Sequence, residues 1–221
     1  MNVFGAMLGT RSDAAELLDE LVVRAGADPT SAFLAHMPYR EAKRYLAGLG
    51  DAMAGDDDRL GEAPWGGPVD QGLTFSKSEF FRNALPAQAL TALVENLEGG
   101  RVVGQSRELD FTPWGGAYNR VPADATAFAH RDELFLLQHM VVLDPGASAA
   151  EREAARRWLA RSWELVRPWG SGRVYQNFPD LDLADWAQAY YGANHDRLVH
   201  IKARYDPGDF FHFWQSLPSG R

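Results

Sequence analysis

The run Leu134-Phe135-Leu136-Leu137-Gln138-His139-Met140-Val141-Val142-Leu143 is strongly apolar and is broken by Asp144-Pro145-Gly146. It demands burial as a strand inside a layered core. Period-two alternation puts Leu136 and Gln138 on one face and His139 on the other. Segments of both periods surround it. Strands are expected over residues 3–9, at Leu73-Thr74-Phe75, over 102–112 and at Val174-Tyr175. Helices are expected over 12–25 behind a Ser12/Asp13 cap, over 39–47 after Pro38, and after Pro86 up to Gly99-Gly100. Further helices are expected over 148–166, 183–191 and 195–205, the last capped by Asn194 and striped by Leu198, Ile201 and Tyr205. Residues 48–71, rich in Gly, Asp and Pro, read as the longest loop, and the two Pro-Trp-Gly-Gly copies at 64–67 and 113–116 read as turns. This alternation leaves α/β and α+β both open.

Composition closes other doors. The chain has 221 residues, 46% hydrophobic and 12% aromatic, which is enough to bury a core and too apolar for disorder. Its net charge of −8, without a basic patch, argues against nucleic acid as a partner. It has no Cys, so disulfides, thiolate nucleophiles and Cys-based zinc sites are excluded. No metal site is expected: His195 and His200 sit about 140° apart on a helix. The sequence contains no nucleophile elbow and no complete dinucleotide loop. With no apolar run long enough to cross a membrane and no leader, the chain as given reads as cytoplasmic, an address that a preceding segment would change.

Four blocks carry a resemblance. They are Phe75-Ser76-Lys77-Ser78, Trp114-Gly115-Gly116-Ala117-Tyr118-Asn119-Arg120 running on to His130-Arg131 and Gln138, Tyr175-Gln176-Asn177-Phe178-Pro179-Asp180, and Tyr190-Tyr191-Gly192-Ala193-Asn194 running on to Gln215-Ser216-Leu217-Pro218. In this order they resemble the substrate-binding half of the berberine-bridge-enzyme-like FAD-linked oxidases. The resemblance implies an α+β fold, an antiparallel sheet of about seven strands flanked by helices, with its open face forming a substrate pocket over a flavin. It implies one substrate-binding domain over 1–221, with 172–218 as the berberine-like tail. Family members also carry an FAD-binding module of similar size, so the expected partners are such a module in cis or in trans and a small-molecule substrate.

Residue by residue, Tyr175 and Asn177 carry over as flavin-contacting groups. Phe178 stands where many members have a Tyr base, and a phenyl ring accepts no proton. Leu136 lies near a position where some plant relatives have a catalytic Glu. Leu136, Gln138 and Phe178 are therefore pocket residues, with Tyr118 and His139 left as groups able to take a proton; His130-Arg131 reads as structural. The first reading is the substrate-binding portion of an FAD-dependent oxidase that passes hydride from a hydroxylated or ring-forming substrate to flavin. The isolated chain is expected to be inactive and to hold FAD weakly. The alternative is a non-catalytic binding or assembly module that keeps the fold and covers its flavin-side face by homodimerising.

Overall fold

The structure, a computed structural model, describes residues 2–46 and 72–219, and the chain divides into two units, 1–70 and 71–221. In the first unit, α1 (Arg11–Ala25) is capped two to three residues earlier than the Ser12/Asp13 cap implied. Thr10 is the cap: its Oγ1 accepts from the Asp13 N–H at 3.2 Å, and the Asp13 carboxylate accepts from the Thr10 N–H at 3.1 Å. Gly26, at φ 66°, closes the helix in the left-handed region. The second helix, α2 (Tyr39–Leu46), follows Pro38. Residues 3–9 form no strand, and Val3 and Leu8 are exposed. Gly5 and Gly9 raise the entropic cost of extending so short a run. The loop expected over 48–71 and the first Pro-Trp-Gly-Gly copy lie outside the described residues.

The second unit is built on β1 (Leu73–Phe81), β2 (Gln105–Pro113) and β3 (Phe135–Leu143), antiparallel in the order β1-β3-β2. The sheet of about seven strands is thus corrected to three among the described residues. Val174-Tyr175 is no strand either. The chain at 171–173 instead follows the end of β1, with the Phe80 N–H donating to Arg173 O and the Ser171 N–H to Phe80 O. A Cβ on Gly170 would run into the Glu79 side chain, so the turn hugs β1 too closely for a regular ladder.

Register fixes two faces. Leu137, His139, Val141 and Leu143 of β3 align with Glu79, Lys77, Phe75 and Leu73 of β1 and with Phe111, Leu109, Arg107 and Gln105 of β2. This face is covered by α3 (Ala87–Glu98) and α4 (Ala149–Glu164). Phe81, Leu137, Leu93 and Val166 form one core cluster, and Val141, Leu143, Ala155, Trp158 and Leu159 another. A Ser148/Glu151 capping box starts α4, and Trp158 Nε1 ties it to Asn96 O at 2.8 Å. Among the described residues no helix is long and apolar enough to cross a membrane.

The remaining helices are α5 (Trp186–Tyr191) and α6 (His195–Tyr205). Asn194 precedes α6 but its side chain does not cap it; Nδ2 donates to Ala123 O at 2.7 Å and Thr126 O at 3.1 Å, tying the tail to the 114–131 connection. The Leu198–Ile201–Tyr205 stripe is not a core face: Ile201 and Tyr205 are exposed.

The tail is fastened by a buried polar network. Lys77 Nζ meets the Asp180 carboxylate at 2.7 Å, both side chains nearly inaccessible. The Asp180 N–H donates to Tyr190 Oη, which donates to Gln215 Oε1, and Gln215 Nε2 returns to Asp180 O at 2.7 Å. The ion pair satisfies the buried charges, and the amide closes the ring.

Candidate functional site

The face of the sheet opposite the helices follows from the same pleat. Across it, Ser78–Gln138–Asp110 make one row, Phe80–Leu136–Thr112 the next and Ser76–Met140–Glu108 a third. Leu136 and Gln138 therefore share this open face, as the alternation required. Asp110 stands directly opposite Gln138, and Thr112 Oγ1 lies 3.5 Å from Asp110 Oδ1. Removal from water, and then the neighbouring Asp110 charge, raise the Glu108 carboxyl above its ordinary value.

At the Phe80 end an aromatic cluster closes the face. Trp114 meets Phe80 edge-on at 5.1 Å, Tyr118 at 5.1 Å and Tyr175 at 5.7 Å. Phe178 meets Tyr175 edge-on at 5.0 Å, and His130 stacks on Phe80 at 4.6 Å. The turn that aims Trp114 and Tyr118 inward needs Gly115 and Gly116, at φ 145° and 68°, where a side chain would strain the backbone. Asn177 Nδ2 donates to Tyr175 Oη at 2.9 Å, fixing the phenol at the cluster's rim. The site thus brings Tyr118, Leu136, Gln138, Tyr175, Asn177 and Phe178 to one side of the sheet.

His139 is on the other side. It is fully buried beneath α4, with Nδ1 2.8 Å from Ser162 Oγ, and burial lowers its pKa to about 4. Tyr118 is on the open-face side, but burial pushes its phenol up to about 12 against smaller opposing effects of the Trp114 indole and the Arg131 charge. Arg131 lies 4.8 Å from the centre of the Tyr118 ring. At neutral pH that phenol keeps its proton. His130 is likewise held neutral, lowered to about 4 by burial and then by Arg173.

Sequence reading passed over Asp110 and Glu108, and it took His130 as structural without placing it. For the first two the signal was present: strand alternation over 102–112, registered on β3, puts both carboxylates on the Gln138 face. For His130 no local signal gave the partner, since it stacks on Phe80, 50 positions earlier in the chain.

This end of the sheet suits a planar ring system with polar edges. Aromatic surface is presented by Tyr175 and Phe178, and the Asn177 amide sits at the rim. Trp114 Nε1, Tyr118 Oη and Gln176 Oε1 are buried there without a well-formed hydrogen bond. Among the described residues no cluster of three metal-ligating side chains occurs.

Comparison with known proteins places the chain among relatives. The family described as "Berberine and berberine like" matches residues 174–218. The uncharacterized FAD-linked oxidoreductase YvdP of Bacillus subtilis is 31% identical over 98% of this chain and 44% of its own length. The monolignol oxidoreductase AtBBE-like 13 of Arabidopsis thaliana is 28% identical over 65% of this chain and 28% of its own length. Berberine bridge enzyme from Eschscholzia californica has a similar fold, with a TM-score of 0.75 at 23% identity over 95% of this chain and 44% of that one. The chain thus spans less than half the length of these relatives.

Proposed function

We propose, from the premise that this chain belongs to the berberine-bridge-enzyme-like FAD-linked oxidoreductases, that it is the substrate-binding portion of an FAD-dependent oxidase. Its substrate would be a hydroxylated or ring-forming small molecule, and a second module, in cis or in trans, would hold the flavin. FAD bound there supplies a hydride acceptor for the substrate carbon. The residues of this chain do the rest. Tyr175, oriented by Asn177, and Phe178 line the ring edge, and Leu136 and Gln138 floor the pocket. Gln138 orients the substrate hydroxyl by hydrogen bonding. The Asp110 carboxylate, opposite Gln138, takes the hydroxyl proton as the carbon–oxygen double bond forms.

The observation that supports this reading is the shared open face, where Asp110 and Gln138 adjoin the Tyr175 cluster while Tyr118 and His139 are unsuited as bases. Two or three hydrogen bonds at about 1 kcal/mol each cannot supply the roughly 8 kcal/mol of micromolar binding, so FAD needs the second module.

The test combines this chain with the FAD-loaded portion of YvdP that it does not match. Anaerobic flavin bleaching is followed with a panel of alcohols and sugars. Asp110→Asn should slow bleaching by roughly 100-fold or more, since a positioned proton acceptor is worth ~10²–10⁴ in rate. Substrate affinity, read from the flavin spectrum, should change less than about threefold, because Asn keeps the hydrogen-bonding shape. Bleaching by Asp110→Asn at the wild-type rate would overturn the assignment.

A further inference from the structure

The row Ser78–Gln138–Asp110 crosses all three strands on the open face of the sheet. Gln138 and Asp110 have roles in the proposed reaction, and Ser78 has none. Yet Ser78 is 1% exposed, and its Oγ has no hydrogen-bond partner in the structure. A hydroxyl taken out of water and left unpaired is destabilising, and Ala would fill the same place without that penalty.

The neighbouring amide supplies a use for it. Gln138 stands directly opposite Ser78 on one side and Asp110 on the other. Side chains opposed in an antiparallel pair have Cβ atoms roughly 4.5–5.5 Å apart, so rotation of a side chain brings their polar ends together. The amide has an accepting end, Oε1, and a donating end, Nε2, whereas a carboxylate only accepts. Turning Oε1 towards Asp110 sets oxygen against oxygen. The favourable turn puts Nε2 towards Asp110 and Oε1 towards β1, where a donor is needed. Ser78 is the directly opposed donor. Leu136 and Met140, which flank Gln138 on its own strand, have none to offer. Ser76 is a diagonal neighbour, at about 7–8 Å, too far for so short a side chain.

We infer that Ser78 is a positioning residue for the proposed reaction, its hydroxyl donating to Gln138 Oε1 and so holding Nε2 towards Asp110 and the substrate hydroxyl. The inference rests on the reading of Gln138 and Asp110 as the groups that orient and deprotonate that hydroxyl. With Nε2 in place, the substrate oxygen accepts from Gln138 while its proton faces the carboxylate. Without Ser78 the amide turns over part of the time. Its oxygen then competes with Asp110 for the substrate proton, and an amide oxygen is no base. The rate falls, while the count of hydrogen bonds to the substrate is kept.

The test uses the whole chain combined with the FAD-loaded portion of YvdP, followed by anaerobic flavin bleaching. Ser78→Ala should slow bleaching about tenfold, the effect of one hydrogen bond, with substrate affinity within about twofold of the wild type. Ser78→Thr, which keeps the hydroxyl, should recover most of the rate, and Ser76→Ala should behave as the wild type. In a Gln138→Leu background, Ser78→Ala should change the rate by less than about 1.5-fold, because the amide it acts through is gone. Equal slowing in both backgrounds would mean a merely structural hydroxyl and overturns the proposal. So does bleaching by Ser78→Ala within twofold of the wild type.

A second reading needs no flavin. With isotope-labelled glutamine in the whole chain, the Gln138 side-chain amide is identified by NMR from its loss in Gln138→Leu. Its resonances should be sharp in the wild type and in Ser78→Thr, and broadened in Ser78→Ala by exchange between two orientations. Equally sharp resonances in Ser78→Ala overturn the proposal. Bleaching by Asp110→Asn at the wild-type rate, with the amide still broadened in Ser78→Ala, removes the parent reading alone. Slow bleaching by Asp110→Asn with normal bleaching by Ser78→Ala removes the role of Ser78 alone.

Discussion

Glu79→Gln should make this protein more stable, and only above acidic pH. Glu79 lies on the helix side of β1, 1% exposed, and loss of hydration lifts its carboxyl from 4.5 to about 7. The Gly172 N–H, donating at 2.8 Å, opposes that shift without cancelling it. A carboxyl whose pKa is raised on folding binds more protons folded than unfolded between the two values, so its contribution is best below 4.5 and is lost as pH rises through 7. The full loss above pH 7 is about 3 kcal/mol at 1.36 kcal/mol per tenfold change in proton affinity. Gln keeps the oxygen that Gly172 holds and removes the charge. Urea unfolding followed by tryptophan fluorescence at pH 4.5 and pH 8 measures the difference. The variant should match the wild type within about 0.5 kcal/mol at pH 4.5 and exceed it by ~3 kcal/mol at pH 8, a midpoint shift of about 1 M. A difference independent of pH, or a less stable variant at pH 8, would refute the reasoning.

The other two stability predictions concern charges on either side of the same sheet. His130 is lowered to about 4 on folding, so its contribution is complete above 6.5 and lost as pH falls towards 4. His130→Phe, stacked on Phe80 in place of the imidazole, should therefore gain about 2–3 kcal/mol over the wild type at pH 4.5, read by the same urea titration. Lys77→Met strands the Asp180 carboxylate and should cost about 3–5 kcal/mol, while Lys77→Met with Asp180→Leu should recover most of it by thermal melting.

Much of this was legible because strands declare themselves by period and breakers. The apolar run at 134–143 ends where Asp144-Pro145-Gly146 ends it, and its alternation alone sorts Leu136 and Gln138 from His139. The helices expected after Pro86 and over 148–166 behaved likewise. What failed depended on partners distant in sequence. Residues 3–9 carry a strand's composition, yet composition cannot supply a neighbouring ladder. Asn194 has a cap's chemistry, but carbonyls at Ala123 and Thr126 compete for its amide. The backbone of Asp209 is left-handed, and Asn and Asp are the side chains that tolerate that region best.

The alternation of β1 explains why the tail and the open face belong to one device. Lys77 and Glu79 point to the helix side, where the first binds Asp180 of the tail and the second holds the turn at Gly172. Ser76, Ser78 and Phe80 point to the open face, and Phe80 lies beneath Trp114, His130 and Tyr175. One strand thus fastens residues 170–182 with its odd positions and supports the Tyr175 ring with an even one. The two anchors bracket Tyr175 and Asn177, so these side chains are held from behind rather than from the open face. An open face built in this way can change at Leu136, Gln138 or Asp110 without loosening the ring edge, because the ties that hold that edge are buried on the other side of the sheet.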